Sequence, residues 1–324
     1  MDFNLSKTEA LFLQMIREFA DKEVKPLAAE VDEEERFPVE TVEKMAKLGI
    51  MGIPVPVEYG GAGGNNVLYS MAVEELSAAC ATTGVIVSAH TSLCAAPILE
   101  FGNKEQKARY LPKLASGEWL GAFGLTEPNA GTDASSQQTI AIEDGDNYIL
   151  NGSKIFITNA EYGHVYIIFA MTDKSKGVKG ISAFIVDKDF PGFSVGKKEK
   201  KMGIRGSATC ELIMENCIVP KANLLGKISE GFSIAMKTLD GGRIGIAAQA
   251  LGIAQGAISE TVKYVKERKQ FGKPISAFQN TQFQLADMQT RVVASRLLVR
   301  QAAFKKDKGR NYSTEAAMAK LYAA

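Results

Sequence analysis

Between Gly121 and Val219 no helical period survives, and that stretch decides what the chain can fold into. Gly, Ser, Thr and Asn punctuate it, with short β-branched and aromatic runs between. Tyr148-Ile149-Leu150, Lys154-Ile155-Phe156-Ile157-Thr158, Val165 to Met171, Ile181 to Val186 and Glu211 to Val219 read as strands. Asp144-Gly145-Asp146-Asn147 and Asn151-Gly152 read as turns separating them. No crossover helix fits between these runs, so the segment is expected to be an antiparallel sandwich or barrel and not a βαβ array.

Both flanks are helical. Ser6-Lys7-Thr8-Glu9 fits a capping box, and Phe12, Ile16, Phe19 and Ala20 follow on one stripe. Pro38 suits the first turn of a second helix that Gly49 closes; Val67 to Ala81 is a third, and Asn103 caps a fourth through Leu114. After Gly226, Ile244, Ala247, Ala248, Leu251, Ala254, Ile258, Val262 and Val265 form one long face. Arg268 through Pro274 breaks it, a helix follows from about Thr281 to Lys305, and Ser313 caps a last one. The expected class is α+β: an N-terminal helical domain (1–120), a middle antiparallel β-sandwich or barrel (121–226) and a C-terminal helical bundle (227–324). The last helix carries no stop signal at Leu321-Tyr322-Ala323-Ala324, so the bundle is expected to be incomplete.

Composition removes several classes of function. Thirty-eight basic and 37 acidic side chains nearly cancel, which argues against an electrostatic nucleic-acid binder. The basic run Lys197-Lys198-Glu199-Lys200-Lys201 reads as a solvated strand end. No uninterrupted run of 18 apolar residues occurs, so no membrane span is expected; even Ile244 to Ile258 is broken by Gly245, Gln249, Gly252, Gln255 and Gly256. Met1-Asp2-Phe3-Asn4 lacks the basic start of a signal peptide. Cys80, Cys94, Cys210 and Cys217 show no CxxC spacing, and the only histidines are His90 and His164. Neither a zinc site nor a disulfide framework is expected, and the setting is a reducing cytoplasm.

Some motifs lead nowhere. Gly192-Phe193-Ser194-Val195-Gly196 matches a nucleophile elbow, yet no helix follows directly and no histidine comes later. Walker A and G-x-G-x-x-G sequences are absent. The two histidines read as packing or surface residues. Cys210 and Cys217, seven apart, would face opposite sides of a regular strand.

Two segments carry more. Gly124-Leu125-Thr126-Glu127-Pro128-Asn129-Ala130-Gly131-Thr132-Asp133 follows a strand with a loop that can expose backbone N–H groups to a ligand, or can simply connect two strands. Alternation puts Phe156 and Thr158 on one face, where an aromatic beside a hydroxyl suits a flat heteroaromatic ring or an ordinary sheet face. Together with Asn151-Gly152-Ser153-Lys154-Ile155-Phe156-Ile157-Thr158-Asn159, Lys201-Met202-Gly203-Ile204-Arg205-Gly206-Ser207, Asp240-Gly241-Gly242-Arg243 and Arg268-Lys269-Gln270-Phe271-Gly272, they resemble the acyl-CoA dehydrogenase family over the whole chain. Ala89-His90-Thr91-Ser92-Leu93-Cys94 and the Asp-Gly-Gly-Arg variant look like those of clostridial-type butyryl-CoA dehydrogenases.

The resemblance implies FAD and a short-chain acyl-CoA. Phe123, Leu125, Thr126, Gly131 and Thr132 would line the flavin and the inner end of the thioester, with Thr132 in place of a common serine. Phe156 would lie on the flavin face, with Ile157 beside it and Thr158 near N5. Thr132, Asp240, Gly241, Gly242 and Arg243 would meet the substrate, although Asp240 and Arg243 also fit a plain i,i+3 ion pair. Arg268, assisted by Gln279, would reach FAD of a neighbouring subunit, implying a homo-oligomer, typically a tetramer. The implied reaction is α,β-dehydrogenation: a carboxylate takes the α proton, hydride leaves to flavin, and electron-transfer flavoprotein takes the electrons.

One departure is plain. The family's catalytic glutamate sits in a Tyr-Glu-Gly-Thr-type motif, and neither that motif nor the Gln-x-x-Gly-Gly stretch occurs in residues 1–324. Both are expected beyond Ala324, so no catalytic residue is assigned and the 324 residues alone are expected to be inactive. Glu127 is the one tempting internal substitute. A non-catalytic acyl-CoA or flavin-binding module and an acyl-CoA oxidase are the competing readings.

Overall fold

The computed structural model describes residues 5–324; Met1-Asp2-Phe3-Asn4, read above for a leader, lies outside the described residues. Seven helices come first: α1 (Lys7–Phe19), α2 (Ala28–Glu33), α3 (Val39–Lys47), α4 (Asn66–Ala79), α5 (Ala81–Ala89), α6 (Ala96–Phe101) and α7 (Lys104–Ser116). Eight strands follow: β1 (Gly121–Gly124), β2 (Ile140–Asp144), β3 (Asn147–Thr158), β4 (Val165–Met171), β5 (Ile181–Asp187), β6 (Phe193–Lys198), β7 (Thr209–Pro220) and β8 (Leu224–Leu225). Then come α8 (Gly231–Glu267), a hairpin of β9 (Lys269–Gln270) and β10 (Lys273–Pro274), α9 (Gln279–Asp307) and α10 (Ser313–Ala323). The order is helical, β, helical.

Local chemistry explains the helix ends. Ser6 Oγ accepts from the Glu9 N–H at 3.2 Å while the Glu9 carboxylate accepts from the Ser6 N–H at 2.9 Å. Asn103 and Gln106 repeat that reciprocal cap at the start of α7. Gly49 follows α3 at φ 71°, a left-handed conformation that costs glycine little. Ser313 is the first residue of α10, with Tyr312 in the capping position.

Two compact units emerge, each assembled from separated segments: Met1–Ala29, Asn65–Val85 and Arg243–Ala324 in one, Glu30–Gly64 and Ile86–Gly242 in the other. The second unit holds the sheet, ordered β6-β7-β3-β2-β4-β5-β8. It is largely antiparallel, as expected, but β1 pairs β4 in parallel, Gly121 opposite Val165 through Gly124 opposite Ile168. β2 meets the same strand only at its far end, Ile140 opposite Met171. The residues between β1 and β2 therefore leave the sheet through a split. β4 is buried on both faces: Ile167 and Phe169 pack with Leu111 and Leu114 of α7, whereas Tyr166 and Ile168 pack with Leu150 and Leu212.

The pair Asn151-Gly152 is no turn. The chain runs straight through it as β3, and a Cβ on Gly152 would stand 2.5 Å from Thr139 Oγ1. Cys210 and Cys217 also depart from simple alternation. A register shift opposite Leu150 and Gly152, with Asn216 at φ 51°, inserts an extra residue in β7. Parity flips there, so both cysteines enter one core. All four cysteines are buried and free.

Among the described residues one helix, Ala81–Phe101, bears on the expectation of no membrane span. Polar residues interrupt its apolar run, yet its mean hydropathy of 1.4 over a sufficient length would permit a crossing. Burial of 72% of that stretch is the mark of a core helix.

In the first unit, α8 lies against α4 backbone to backbone. A Cβ on Gly252 would sit 2.2 Å from Glu74 O, and one on Gly256 2.4 Å from Ala78 O. These are the glycines that interrupt the apolar face in the sequence. The buried Glu74 carboxylate accepts from Arg296 Nε at 2.8 Å and Arg300 Nη2 at 2.6 Å, joining α4 to α9. On an exposed helix Gly→Ala stabilises by roughly 1 kcal/mol. Gly252→Ala is expected to do the reverse, destabilising by about 1–3 kcal/mol through overpacking, as urea unfolding would show.

Candidate functional site

The sheet leaves the second half of β3 without a neighbour on one side. β2 covers β3 only from Asn147 to Asn151. Beyond that point the connection from β1 to β2 takes over, and the Ile155 N–H donates to Thr126 O at 2.9 Å. One residue later the strand bulges. Lys154 pairs with Leu212 and Ile157 with Cys210, three steps on β3 against two on β7. The extra residue puts Phe156 at φ 61°, a strained setting for a bulky side chain, and leaves it 60% exposed.

Here the structure brings together six residues named from sequence. Phe123, Leu125, Thr126, Phe156, Ile157 and Thr158 border one cavity of about 180 Å³ within the second unit. Among the described contacts the Thr126 hydroxyl has no hydrogen-bond partner inside the protein. An exposed aromatic face, a hydroxyl without a partner and a second hydroxyl at Thr158 suit a flat ring with polar edges. Larger depressions elsewhere, one of about 570 Å³ beside Trp119 and His164 and one of about 500 Å³ beside Glu74 and Arg300, contain none of these residues.

Three further walls were given no site role from the sequence, although Ala89 and Leu93 lie in the segment Ala89-His90-Thr91-Ser92-Leu93-Cys94 that carries part of the resemblance. Ala89 is the last residue of α5, Leu93 comes from the π-helical turn His90–Ala95 between α5 and α6, and Leu239 comes from α8. Pro97 accounts for the widened turn: it has no N–H to offer Leu93, while the Ala96 N–H reaches back to Thr91 O. A Cβ on Gly242 would stand 2.8 Å from Leu93 Cδ2, so that glycine leaves room for the leucine wall.

The other named residues lie apart from this cavity. Gly131 and Thr132 are exposed on the loop beyond Ala130. Asp240, Gly241 and Gly242 lie on α8 in the second unit, and Arg243 opens the first unit's share of that helix. Arg268 and Gln279 are exposed in the first unit.

Glu127 does not face the cavity. It is 3% exposed, its Oε1 lies 2.6 Å from Lys154 Nζ, and the Gln138 and Thr139 N–H groups donate to it. Burial pushes its carboxyl up, but the Lys154 ammonium and these donors outweigh that and hold it below its ordinary value. No lining residue is a carboxylate or histidine. The walls can bind and orient; they offer no ordinary proton acceptor. Among the described residues no cluster of metal ligands occurs either.

Known proteins match the chain along nearly its whole length. Family models described as acyl-CoA dehydrogenase N-terminal, middle and C-terminal domains match residues 6–118, 122–217 and 229–324. The chain is 60% identical to a short-chain specific acyl-CoA dehydrogenase of Clostridium acetobutylicum, covering all of this chain and 86% of that protein. It superposes on butyryl-CoA dehydrogenase from Megasphaera elsdenii with a TM-score of 0.98 at 50% identity, over 100% of this chain and 85% of that one. A chain in a structure described as an electron transferring flavoprotein of Acidaminococcus fermentans matches with a TM-score of 0.98 at 56% identity, with the same coverage.

His90 anchors the π-helical turn. Its Nδ1 accepts from the Gly121 N–H at 3.0 Å, so Nε2 carries the proton and donates to Leu114 O at 3.0 Å. Burial, opposed by its backbone contacts, lowers its pKa from 6.5 to about 4. Between those values the unfolded chain binds a proton that the folded protein refuses. Stability therefore falls as pH drops through that window, by about 1.4 kcal/mol per pH unit. His90→Gln, which keeps an acceptor and a donor, is expected to flatten the slope in urea unfolding across that range.

Proposed function

The chain belongs to the acyl-CoA dehydrogenase family, and from that premise we propose that it dehydrogenates a short-chain acyl-CoA, butyryl-CoA, to the α,β-unsaturated thioester. The observation that carries this reading is the convergence of Phe123, Thr126, Phe156 and Thr158 on a small cavity bounded by Leu93 and Leu239. Short walls of leucine favour a four-carbon acyl chain over a long one.

FAD is assigned as the cofactor, and the residues present fit it. The exposed Phe156 ring suits the face of an isoalloxazine, and the Thr126 and Thr158 hydroxyls suit its polar edges. When bound, FAD supplies the two-electron acceptor for the hydrogen leaving the β-carbon. The protein's own part is orientation and exclusion of water from an apolar cavity. Gly131 is assigned with the flavin loop; Thr132, Asp240, Gly241, Gly242 and Arg243 are assigned to the CoA portion, and Arg268 with Gln279 to FAD of a neighbouring subunit in a homotetramer. Electron-transfer flavoprotein is assigned as the electron acceptor and the cytoplasm as the compartment, a setting that suits four free cysteines.

No residue of the 324 is assigned as the base for the α proton. Glu127 is committed to Lys154, and no Tyr-Glu-Gly-Thr-type motif occurs. The protein is expected to be yellow and to lose its visible flavin absorbance when butyryl-CoA is added without oxygen. Colourless protein, or yellow protein indifferent to butyryl-CoA, overturns the reading, and stoichiometric peroxide release in air would make it an oxidase.

A further inference from the structure

Lys154 is fully buried in a strand whose neighbours are apolar. Its stem passes under Gly124, where an added Cβ would lie 3.3 Å from Lys154 Cγ. Its ammonium then meets three acceptors on one stretch of chain: Glu127 Oε1 at 2.6 Å, Gln137 Oε1 at 2.9 Å and Leu125 O at 3.4 Å. Gln137 Nε2 donates to the same Leu125 carbonyl at 3.0 Å, and Glu127 holds the Gln138 and Thr139 N–H groups. A single cation thus gathers the start and the end of the β1–β2 connection.

Stability alone does not account for this arrangement. Replacing a buried ion pair by packed neutral groups is commonly neutral or stabilising, so the fold does not require these charges. The geometry does something an apolar pair cannot. A trans peptide carries its N–H opposite its C=O. Drawing the Leu125 carbonyl inward therefore turns the Thr126 N–H the other way, and no acceptor within the protein takes it among the described residues. The next carbonyl, Thr126 O, is fixed by the Ile155 N–H. Lys154 and Ile155, adjacent on β3, hold two successive peptides of the loop, and Phe156 follows directly at the cavity.

We propose that the buried Lys154–Glu127 pair is a positioning element that presents the Thr126 N–H and hydroxyl to the ring bound in the cavity. Lys154 and Glu127 touch neither substrate nor cofactor; they act through Leu125 and Thr126. This inference rests on the reading of the cavity as the flavin site. It also makes Glu127 structural support for the loop and leaves the proton to another group.

The test separates positioning from folding. In Lys154→Met/Glu127→Gln the pair is neutral and the Gln138 and Thr139 N–H groups keep an acceptor. Its thermal midpoint without flavin is expected above that of Lys154→Met alone, which strands a buried carboxylate. FAD affinity of the double variant, measured by flavin fluorescence quenching, is nevertheless expected to be at least fivefold weaker than that of the unaltered protein. A loss smaller than fivefold overturns the proposal. Should the double variant fail to fold, Glu127→Gln decides by amide hydrogen exchange: at least fivefold faster exchange at residues 125–127 with unchanged rates in β4 supports it, and equal rates in the loop overturn it. If the unaltered protein binds no FAD, the flavin reading falls, and the same exchange measurement still decides whether the pair holds the loop.

Discussion

A buried strand must find partners for its backbone, and the second half of β3 finds them in a loop. β2 stops pairing at Asn151, and at Ile155 the N–H goes to Thr126 instead of to a strand. An unpaired N–H in that setting would cost about 1–3 kcal/mol, so the loop is held as part of the sheet's hydrogen-bond accounting. The parallel pairing of β1 with one end of β4, and the contact of β2 with the other end, open the split through which the loop passes. The site is thus a consequence of strand order. Phe156 is strained and exposed at the place where the regular ladder gives way.

The helical segments that border the cavity obey a second constraint, also set by a missing hydrogen bond. Pro97 cannot donate to Leu93, the helix widens, and the π turn presents Leu93 to the cavity beside Ala89 at the end of α5. Widened turns of this kind are frequent at functional sites because they re-aim side chains without ending the helix. His90 then fixes the turn against β1 through Gly121 and against the end of α7 through Leu114. The Leu93 wall of the cavity is therefore positioned by one proline and one neutral histidine, neither of which borders the cavity.

Much of this was legible in the sequence, and what was not has physical reasons. The caps at Ser6 and Asn103, the strands at Val165 and Ile181 and the long break after Glu267 follow local rules, and the structure has them. That Phe156 and Thr158 share a face was also readable from alternation, although the strand bulges at Phe156 itself. Asn151-Gly152 misleads because the pair is strongly associated with hairpins, whereas here glycine serves a close approach of Thr139 inside a continuing strand. Cys210 and Cys217 mislead because a bulge changes parity, and nothing in the intervening residues announces it. Lys154 is the sharpest case. A lysine in a strand reads as solvent-facing, and its partner lies 27 residues away in another element. Only the folded topology makes it a core residue.

The arrangement divides the chemistry of the site. The side-chain polar groups among the cavity's lining residues, the hydroxyls of Thr126 and Thr158, are neutral and able to donate, and the carboxylate of the adjoining loop, Glu127, is committed to a buried lysine. Donors of this kind lie ready to meet negative charge and cost no reorganisation when it develops. Proton removal needs the opposite property, a group whose basicity is not satisfied by its neighbours. Glu127 has lost that property by being tied to Lys154, Thr139 and Gln138. The interactions that tie the loop to Lys154 are the ones that disqualify its only glutamate as a base. A fold built this way must bring its base from a different element, and orientation and proton transfer can then be tuned by separate residues.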